Sequence, residues 1–189
     1  MFQFKDSMKI ITIDQTYMKA LYDACDQVFY VPSSYQNKPY IGILINDGNQ
    51  KYAIPLTSAK ERHKSWKNFD NGRFLVFEHC DRSKLGPGAI FTVGQDGSIK
   101  HILSALIVYK MIPIKDGVYQ TVNINVEATD DAEMKKYKEL LNKEYSFCLS
   151  IKDKIVKEAE RIYRRQINTG KVYKGYCNFV DLEKVCLAF

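Results

Sequence analysis

Motifs that mark several large enzyme classes are missing from this sequence of 189 residues. There is no GxGxxG or P-loop segment, which argues against a nucleotide cofactor, and no GxSxG nucleophile motif. The three histidines form no HxH or HxxxH pair and the five cysteines form no CxxC pair, so neither a metal centre nor a disulfide framework is predicted. We therefore expect buried free thiols and no cofactor.

Long uncharged apolar runs are missing as well. Stretches such as 102–109 are far too short to span a membrane, and residues 1–6 lack the apolar segment of a signal peptide. This pattern favours a cytoplasmic protein. The length and the 46% hydrophobic fraction predict one globular domain over 1–189. Because nothing before Met8 adds to the core pattern, residues 1–7 are compatible with an N-terminal extension.

Positive charge is concentrated in one C-terminal segment. Residues 134–175 hold 12 lysines and arginines against 5 acidic residues, a net charge of +7, so the rest of the chain carries −1 of the total of +6. Tyrosines interleave with these cations, and this combination serves phosphate neutralisation and base stacking. We therefore predict an RNA-binding face that includes Tyr145, Lys152, Lys154 and Lys157. The alternative is a solvated helix face whose tyrosines pack on the core.

The apolar pattern predicts an antiparallel sheet of five to seven strands. Alternating or β-branched runs mark the strands, and the Asp47-Gly48 turn is typical of a hairpin between two of them. The predicted strands cover 8–13, 40–45, 51–56, 73–79, 89–93 and 99–111, while 118–126 fits either a last strand or an extended crossing. Helices are predicted before and after this block, so the fold class is α+β.

Three helical segments are predicted. Asp14 can cap a helix over 15–25, and Thr129 or Asp130 can cap a long basic C-terminal helix or helix pair, which ends at 168–170. Residues 179–187 are predicted to form a short final helix. The residues predicted to lie on its buried face are Val180, Leu182, Val185 and Leu187.

The stretch that organises the chain is 51–60, an apolar run that ends on Thr57, Ser58 and Lys60. Pro55 predicts that this strand lies at a sheet edge or ends there, because proline cannot donate to a ladder. Two hydroxyls and an ammonium at the end of a buried strand are an arrangement that active sites use. The alternative is that Ser58 caps a short helix while Lys60 is solvated.

The hairpin predicts which other residues approach this strand end. Residues just before the first strand and just after the second lie at the same end of a hairpin, so Tyr35 and Lys38 should approach the two hydroxyls and Lys60. His63 follows Lys60 by three residues, in a segment over 59–69 that is predicted to be a short basic helix or turn.

Lysine and hydroxyl side chains are suited to the scission of RNA. The 2′-hydroxyl attacks the adjacent phosphate, and the protein must remove one proton, donate another and stabilise a dianionic phosphorane. A lysine that acts as the base needs a lowered pKa, which the pairing of Lys38 with Lys60 would provide.

Three segments carry a resemblance to a known family. They are Ser34-Tyr-Gln-Asn-Lys38, Tyr40-Ile-Gly-Ile-Leu44 and Lys51-Tyr-Ala-Ile-Pro-Leu-Thr-Ser-Ala-Lys60, with His63 beyond them. Their order, spacing and residue types resemble the ToxN/AbiQ family of type III toxin-antitoxin endoribonucleases, and the likeness runs from Met8 to about Gly170. The resemblance implies an α+β fold with a compact, strongly twisted antiparallel sheet, like the Kid/MazF barrel, and flanking helices.

The same resemblance implies a function. It is metal-independent cleavage of RNA to a 2′,3′-cyclic phosphate and a 5′-hydroxyl, with a role in phage defence. It also implies inhibition by a repeated antitoxin RNA, folded as a pseudoknot and held in the basic groove, so that toxin and RNA close into a ring-like complex. The implied catalytic residues are Tyr35, Lys38, Thr57, Ser58 and Lys60, and the implied RNA-binding residues are His63 and Tyr145.

Two other functions fit parts of the pattern. One is a non-catalytic RNA-binding module that uses the same basic segment. Changing Ser58 or Lys60 separates the two, because in an enzyme it should abolish cleavage and leave RNA binding largely intact. The other is a toxin that a protein partner neutralises, in the manner of MazF. Protein rather than RNA would then purify with the toxin.

Overall fold

A computed structural model describes residues 1–30, 38–46 and 48–189 of the protein. The strands in this part of the chain are β1 (Gln3–Ile13), β2 (Tyr40–Ile45), β3 (Lys51–Ser58), β4 (Phe69–Asp70), β5 (Arg73–His79), β6 (Ile90–Val93), β7 (Ile99–Ile107), β8 (Ile112–Ile114) and β9 (Tyr119–Thr121). The α-helices are α1 (Gln15–Ala24), α2 (Ala132–Ser150), α3 (Lys152–Thr169) and α4 (Phe179–Ala188). Single 3₁₀ turns lie at Glu61–Ser65, Arg82–Lys84 and Val108–Lys110.

The strands form one antiparallel sheet in the order β4-β5-β7-β3-β2-β1-β9, to which β6 adds beside β7 and β8 beside β3. This arrangement confirms the predicted α+β class with helices around a twisted antiparallel sheet. Strands β4 and β9 form the two ends of the order, so the sheet is open over the described ranges. The two strands that the sequence does not predict, β4 and β8, have two and three residues, which is too short to leave a period in the sequence, while β9 lies inside the predicted segment 118–126.

Strand β3 lies in the middle of the sheet, and Pro55 lies inside it rather than at an edge or an end. Tyr40 pairs with Pro55, and the next amide, Leu56 N–H, donates to the Pro39 carbonyl on the β2 side at 3.1 Å. The nitrogen of Pro55 therefore faces the other side of β3. There β3 pairs with β8 over 51–53 and with β7 over 56–58, so the proline falls in the gap between two ladders and removes no hydrogen bond.

The helices begin and end largely where the sequence predicts. Asp14 caps α1 by accepting from the Tyr17 amide at 2.9 Å, and Gly170 ends α3 in a left-handed conformation. The long basic helix is a pair, α2 and α3, separated at Ile151. Its cap is Asp131 and not Thr129 or Asp130, because the Asp130 carboxylate binds the Lys138 ammonium instead, at 2.8 Å.

Apolar side chains of the sheet pack against the helices in the main core cluster, while a second, smaller cluster on β5 and β7 consists of Leu75, Ile102, Ala105 and Ile107. The main cluster includes Phe2, which is 2% exposed and packs edge-on against the Tyr52 ring. Strand β1 also begins at Gln3, so residues before Met8 contribute to the core although the sequence pattern gives no sign of it. In α4 the buried residues are Phe179, Leu182 and Cys186, whereas Val180 and Leu187, predicted to be buried, are exposed.

Over the described ranges, none of the helices combines the length and the apolar character that crossing a membrane requires. The cytoplasmic location stays a prediction.

Candidate active site

The candidate site lies where the β2–β3 hairpin opens. The ladder runs from Ile45 opposite Lys51 to Tyr40 opposite Pro55, and the Leu56–Pro39 hydrogen bond extends it by one residue. An irregularity at Ile43 shifts the register by one residue, so Lys38 comes beside Thr57 at the strand end that the hairpin predicts. Tyr35, which the same argument places here, lies outside the described residues, as does Asp47 of the predicted turn.

Lys38 lies in an apolar and positively charged environment. Its ammonium nitrogen is 3.8 Å from the centroid of the Phe29 ring, and the nitrogen of Lys110 is 5.1 Å from the same ring. Burial, together with the charges of Lys60 and Lys110, lowers the pKa of Lys38 to about 8. With this pKa about a tenth of the lysine is a neutral amine at pH 7, which is the form that can accept a proton.

Lys110 is held in place by Gln27. Its ammonium donates to the Gln27 main-chain carbonyl at 2.6 Å and to the Gln27 side-chain oxygen at 2.9 Å. Burial lowers the pKa of Lys110 as well. The segment after α1 thus supplies both the ring below Lys38 and the anchor for a neighbouring cation.

Lys60 begins the short 3₁₀ turn that follows β3. The His63 N–H donates to the Lys60 carbonyl at 2.8 Å, and the Lys60 N–H donates to His63 Nδ1 at 3.2 Å. Because Nδ1 accepts a hydrogen bond, this contact requires the neutral imidazole. Burial and the charges of Arg62 and Lys60 lower the pKa of His63, which favours that neutral form.

The two hydroxyls at the end of β3 project from opposite faces of the sheet, because side chains alternate along a strand. Thr57 pairs with Ala105 of the smaller apolar cluster and is buried. Ser58 pairs with Ser104 and is exposed. The Thr57 hydroxyl therefore lies on the face of the sheet that Lys38 shares, and the Ser58 hydroxyl lies on the opposite face.

His63 and Tyr145 are placed differently from their predicted RNA-binding role. His63 is 0% exposed, so its ring offers no surface to RNA in this conformation and instead holds the backbone of Lys60. Its Nε2 atom is buried and has no hydrogen-bond partner among the described residues. The Tyr145 hydroxyl donates to the Met8 carbonyl at 3.1 Å, which ties α2 to β1.

The three predicted RNA-binding lysines of α3 are exposed but do not share one groove. Lys154 and Lys157 line a groove of about 400 Å³ next to the β4–β5 turn, and the Lys154 ammonium lies 4.5 Å from the Phe69 ring. Lys152 lines a separate groove beside the N-terminal part of β1. A single strand along the first groove would therefore contact two of the three lysines.

Candidate metal ligands do not gather in the part of the chain that the structure describes, where no three His, Cys, Asp or Glu side chains are placed to share an ion. The groups at the strand end are instead amines, hydroxyls and one neutral imidazole. Such groups can exchange protons and stabilise negative charge on phosphate oxygens.

Sequence reasoning missed Phe29, Gln27 and Lys110. They come from the segment after α1 and from the 3₁₀ turn after β7, and only the tertiary fold brings them to the hairpin. The one available signal was the position of Lys110 directly after a long apolar strand, which is the feature that singled out Lys60.

Comparison with known proteins identifies similar sequences. The family model described as "Toxin ToxN, type III toxin-antitoxin system" matches residues 9–186. The "Endoribonuclease ToxN" of Pectobacterium atrosepticum is 30% identical over 183 residues, which cover 94% of this chain and 91% of the relative. These matches confirm the resemblance that the three sequence segments carry.

Two solved structures share the fold. One is described as "A processed non-coding RNA regulates a bacterial antiviral system" and is 25% identical with a TM-score of 0.68, over 96% of this chain and 98% of the other. The second is AbiQ, a lactococcal anti-phage endoribonuclease of a type-III toxin-antitoxin system, which is 21% identical with a TM-score of 0.72, over 96% of this chain and 97% of AbiQ. At this identity the likeness to AbiQ establishes the fold alone.

Proposed function

We propose, since the chain belongs to the ToxN toxin family of type III toxin-antitoxin systems, that it is an endoribonuclease whose activity an antitoxin RNA inhibits. The name of the Pectobacterium relative supports the activity, and the RNA-regulated antiviral system of the similar structure supports the mode of inhibition and a role against phage. A ring-like assembly of toxin and RNA remains a prediction from the family resemblance.

The observation that carries the proposed chemistry is the position of Lys38 at the open end of the hairpin. Its pKa of about 8 results from burial and from two neighbouring cations, Lys60 and Lys110. Perturbed lysines of this kind at the end of a rigid strand are typical of catalytic sites.

In the proposed reaction the nucleophile belongs to the RNA. The neutral amine of Lys38 accepts the proton of the 2′-hydroxyl, whose oxygen attacks the adjacent phosphorus. The Lys60 ammonium donates a proton to the leaving 5′-oxygen, and the Thr57 hydroxyl, which lies on the same face of β3 as Lys38, stabilises a phosphorane oxygen. The Ser58 hydroxyl projects from the opposite face and takes no part in this step. The products are a 2′,3′-cyclic phosphate and a 5′-hydroxyl.

The experiment that tests this proposal measures RNA cleavage by Lys60→Ala in the presence of EDTA. Loss of a general acid typically lowers a rate by 10² to 10⁴-fold, and we expect a decrease of about that size. Lys64→Ala is the matched control, because Lys64 lies on the same turn and pairs with Glu61 at 2.8 Å. We expect it to cleave at the wild-type rate, and the wild type to be unaffected by EDTA.

Two results would contradict the proposal. If EDTA stops wild-type cleavage, a metal ion takes part in the reaction. If Lys60→Ala and Lys64→Ala cleave equally well, the turn after β3 does not hold the proton donor.

A further inference from the structure

A partly exposed band of aromatic rings and arginines lies beside the candidate site. We call it the tyrosine–arginine band and define it by Trp66, Tyr109, Tyr176, Tyr173, Arg73 and Arg165. These residues come from the end of the 3₁₀ turn after β3, the start of β5, the turn after β7, the C-terminal half of α3 and the loop before α4.

The band consists of two contact groups, Arg73 with Trp66 and the three tyrosines with Arg165, and the charge of Arg73 acts on Tyr109 of the second group. The Arg73 guanidinium lies 4.6 Å from the Trp66 ring. The Tyr109 and Tyr176 rings stack with centroids 4.5 Å apart at 19°, and Tyr173 continues the series at 5.8 Å from Tyr176. The Arg165 guanidinium then covers Tyr173 at 4.3 Å. Three tyrosine rings therefore lie in series and end at a guanidinium group.

Positive charge in the band exceeds what the protein itself neutralises. Four of the six arginines of the chain lie near these rings, and their charges oppose the burial that raises the pKa of Tyr109 and Tyr176; they are Arg62, Arg73, Arg161 and Arg165. Within the described part of the chain, Arg165 and the adjacent Lys171 have no carboxylate at ion-pair distance. The nearest carboxylate of Arg73, on Asp70, is 3.4 Å away, and both side chains are partly exposed.

The band adjoins the lysines of the candidate site. Tyr109 precedes Lys110 in the same turn, and Phe29, which lies under Lys38 and Lys110, packs against the same apolar cluster as Tyr109 and Trp66. The band and the ring beside Lys38 thus pack against one and the same apolar cluster.

We propose that the tyrosine–arginine band binds the single-stranded RNA substrate next to the scissile phosphate. Bases stack on the tyrosine rings and the guanidinium groups contact the phosphates, which is how single strands are commonly held without sequence readout. The proposal rests on the proposed function, and it adds an RNA-binding surface that differs from the grooves lined by the three α3 lysines.

The chemistry favours RNA over an acidic protein partner. Aromatic rings half-exposed beside guanidinium groups match a ligand that alternates flat bases with anionic phosphates. Carboxylate side chains would engage the arginines but give the tyrosines nothing to stack on. Removal of the bases from the ligand therefore separates the two possibilities.

The test measures the affinity of the full-length protein for three 12-nucleotide probes. Two are 2′-O-methyl oligomers, one of adenosine and one of uridine, and the third is an abasic 12-mer with the same number of phosphates. Methylation removes the attacking hydroxyl, so binding is read without cleavage. If bases stack on the band, we expect adenosine to bind more tightly than uridine, and uridine more tightly than the abasic probe.

Two variants assign this preference to the band. Tyr173→Leu removes a ring that does not belong to either core cluster, and we expect it to weaken adenosine binding by at least about fivefold while abasic binding is unchanged. Arg165→Ala should weaken all three probes and lower the dependence of affinity on salt. The matched controls are Tyr119→Leu on the far edge strand β9 and Arg164→Ala, whose guanidinium pairs with Glu160 at 2.7 Å. Both are expected to keep the preference for adenosine.

Equal affinity for all three probes, or a preference that survives Tyr173→Leu, would overturn the proposal. This failure is distinct from failure of the proposed function, because cleavage of unmodified RNA by the same preparation is measured in parallel. A protein that cleaves RNA but binds the abasic probe as tightly as the adenosine probe has an active site without this stacking surface.

Discussion

Lys38 acquires its chemistry from neighbours that the sequence keeps far apart. The hairpin alone predicts that it meets the end of β3, but an irregularity at Ile43 shifts the register by one residue, so that Lys38 comes opposite Thr57 and not Ser58. Its lowered pKa depends instead on burial and on two cations, of which Lys110 is fixed by Gln27 after α1. Its approach to the end of β3 was thus predictable, whereas its partner in the ladder and its protonation were not.

The pH dependence of cleavage tests this protonation. Since the neutral amine is the proposed base, kcat/KM should rise with pH and level off above about 8, the pKa of Lys38. Lys110→Met removes a charge that lowers this pKa, so the inflection should move to higher pH. Lys184→Met, on α4 beside Asp181, removes an equal charge elsewhere and should leave the inflection in place.

A rate that is constant between pH 7 and 9 would show that Lys38 does not act as the base. An inflection that Lys110→Met leaves unmoved would show that the two lysines do not interact.

His63 illustrates a limit of reasoning from spacing. Its distance of three residues from Lys60 correctly places it on the same turn. Whether the ring points outward to RNA or inward to the backbone depends on how the turn packs against Trp66, whose ring is 4.4 Å away. That packing is tertiary, and it makes the histidine a residue that positions Lys60.

At the scale of elements, α2 packs on the sheet through a buried carboxyl. Glu144 is 4% exposed, and burial raises its pKa to about 7. The Ser104 hydroxyl lowers this pKa, but by less than burial raises it. A group whose pKa is higher in the folded state than in the unfolded chain stabilises the fold at low pH. That contribution is lost as the pH rises from the ordinary value of 4.5 through about 7.

Glu144→Gln should therefore stabilise the protein at pH 8 and change little at pH 4.5. At pH 8 the amide stays neutral, whereas the buried carboxyl must ionise. The rise in the pKa of Glu144 corresponds to at most ~3 kcal/mol in the free energy of unfolding. Urea unfolding at the two pH values measures the difference. The control is Glu139→Gln, on the exposed side of the same helix.

A stability gain that is equal at both pH values would mean that the buried carboxyl does not titrate with folding. A loss of stability at pH 8 would mean that the ionised carboxylate is itself bonded in the folded protein.

Elements with a strong apolar periodicity were predictable from the sequence, whereas features that depend on neighbouring elements of the fold were not. The long strands and all four helices follow apolar spacing, and the caps at Asp14 and Gly170 follow local chemistry. The interior position of Pro55 depends on the gap between β8 and β7, two elements that come much later in the chain. The break at Ile151 likewise divides a pattern that continues across it.

At the scale of the whole molecule, the sequence shows where the positive charge lies in the chain but not how it is arranged in space. The basic segment becomes α2, α3 and the loop that follows, so its lysines are divided between separate grooves. Its arginines instead join Arg62 and Arg73 from the sheet side. A basic surface beside the hairpin therefore forms only when the two ends of the domain fold together.

The central claim is that this protein cuts RNA by using the 2′-hydroxyl of the substrate. The most direct measurement maps one cleavage position and then replaces the nucleotide on its 5′ side by the 2′-deoxy form. We expect no cleavage at that position, while the unmodified RNA gives a 2′,3′-cyclic phosphate and a 5′-hydroxyl. Cleavage at the deoxy position, or a 5′-phosphate on the product, would show that water attacks instead and would contradict the roles assigned to Lys38 and Lys60.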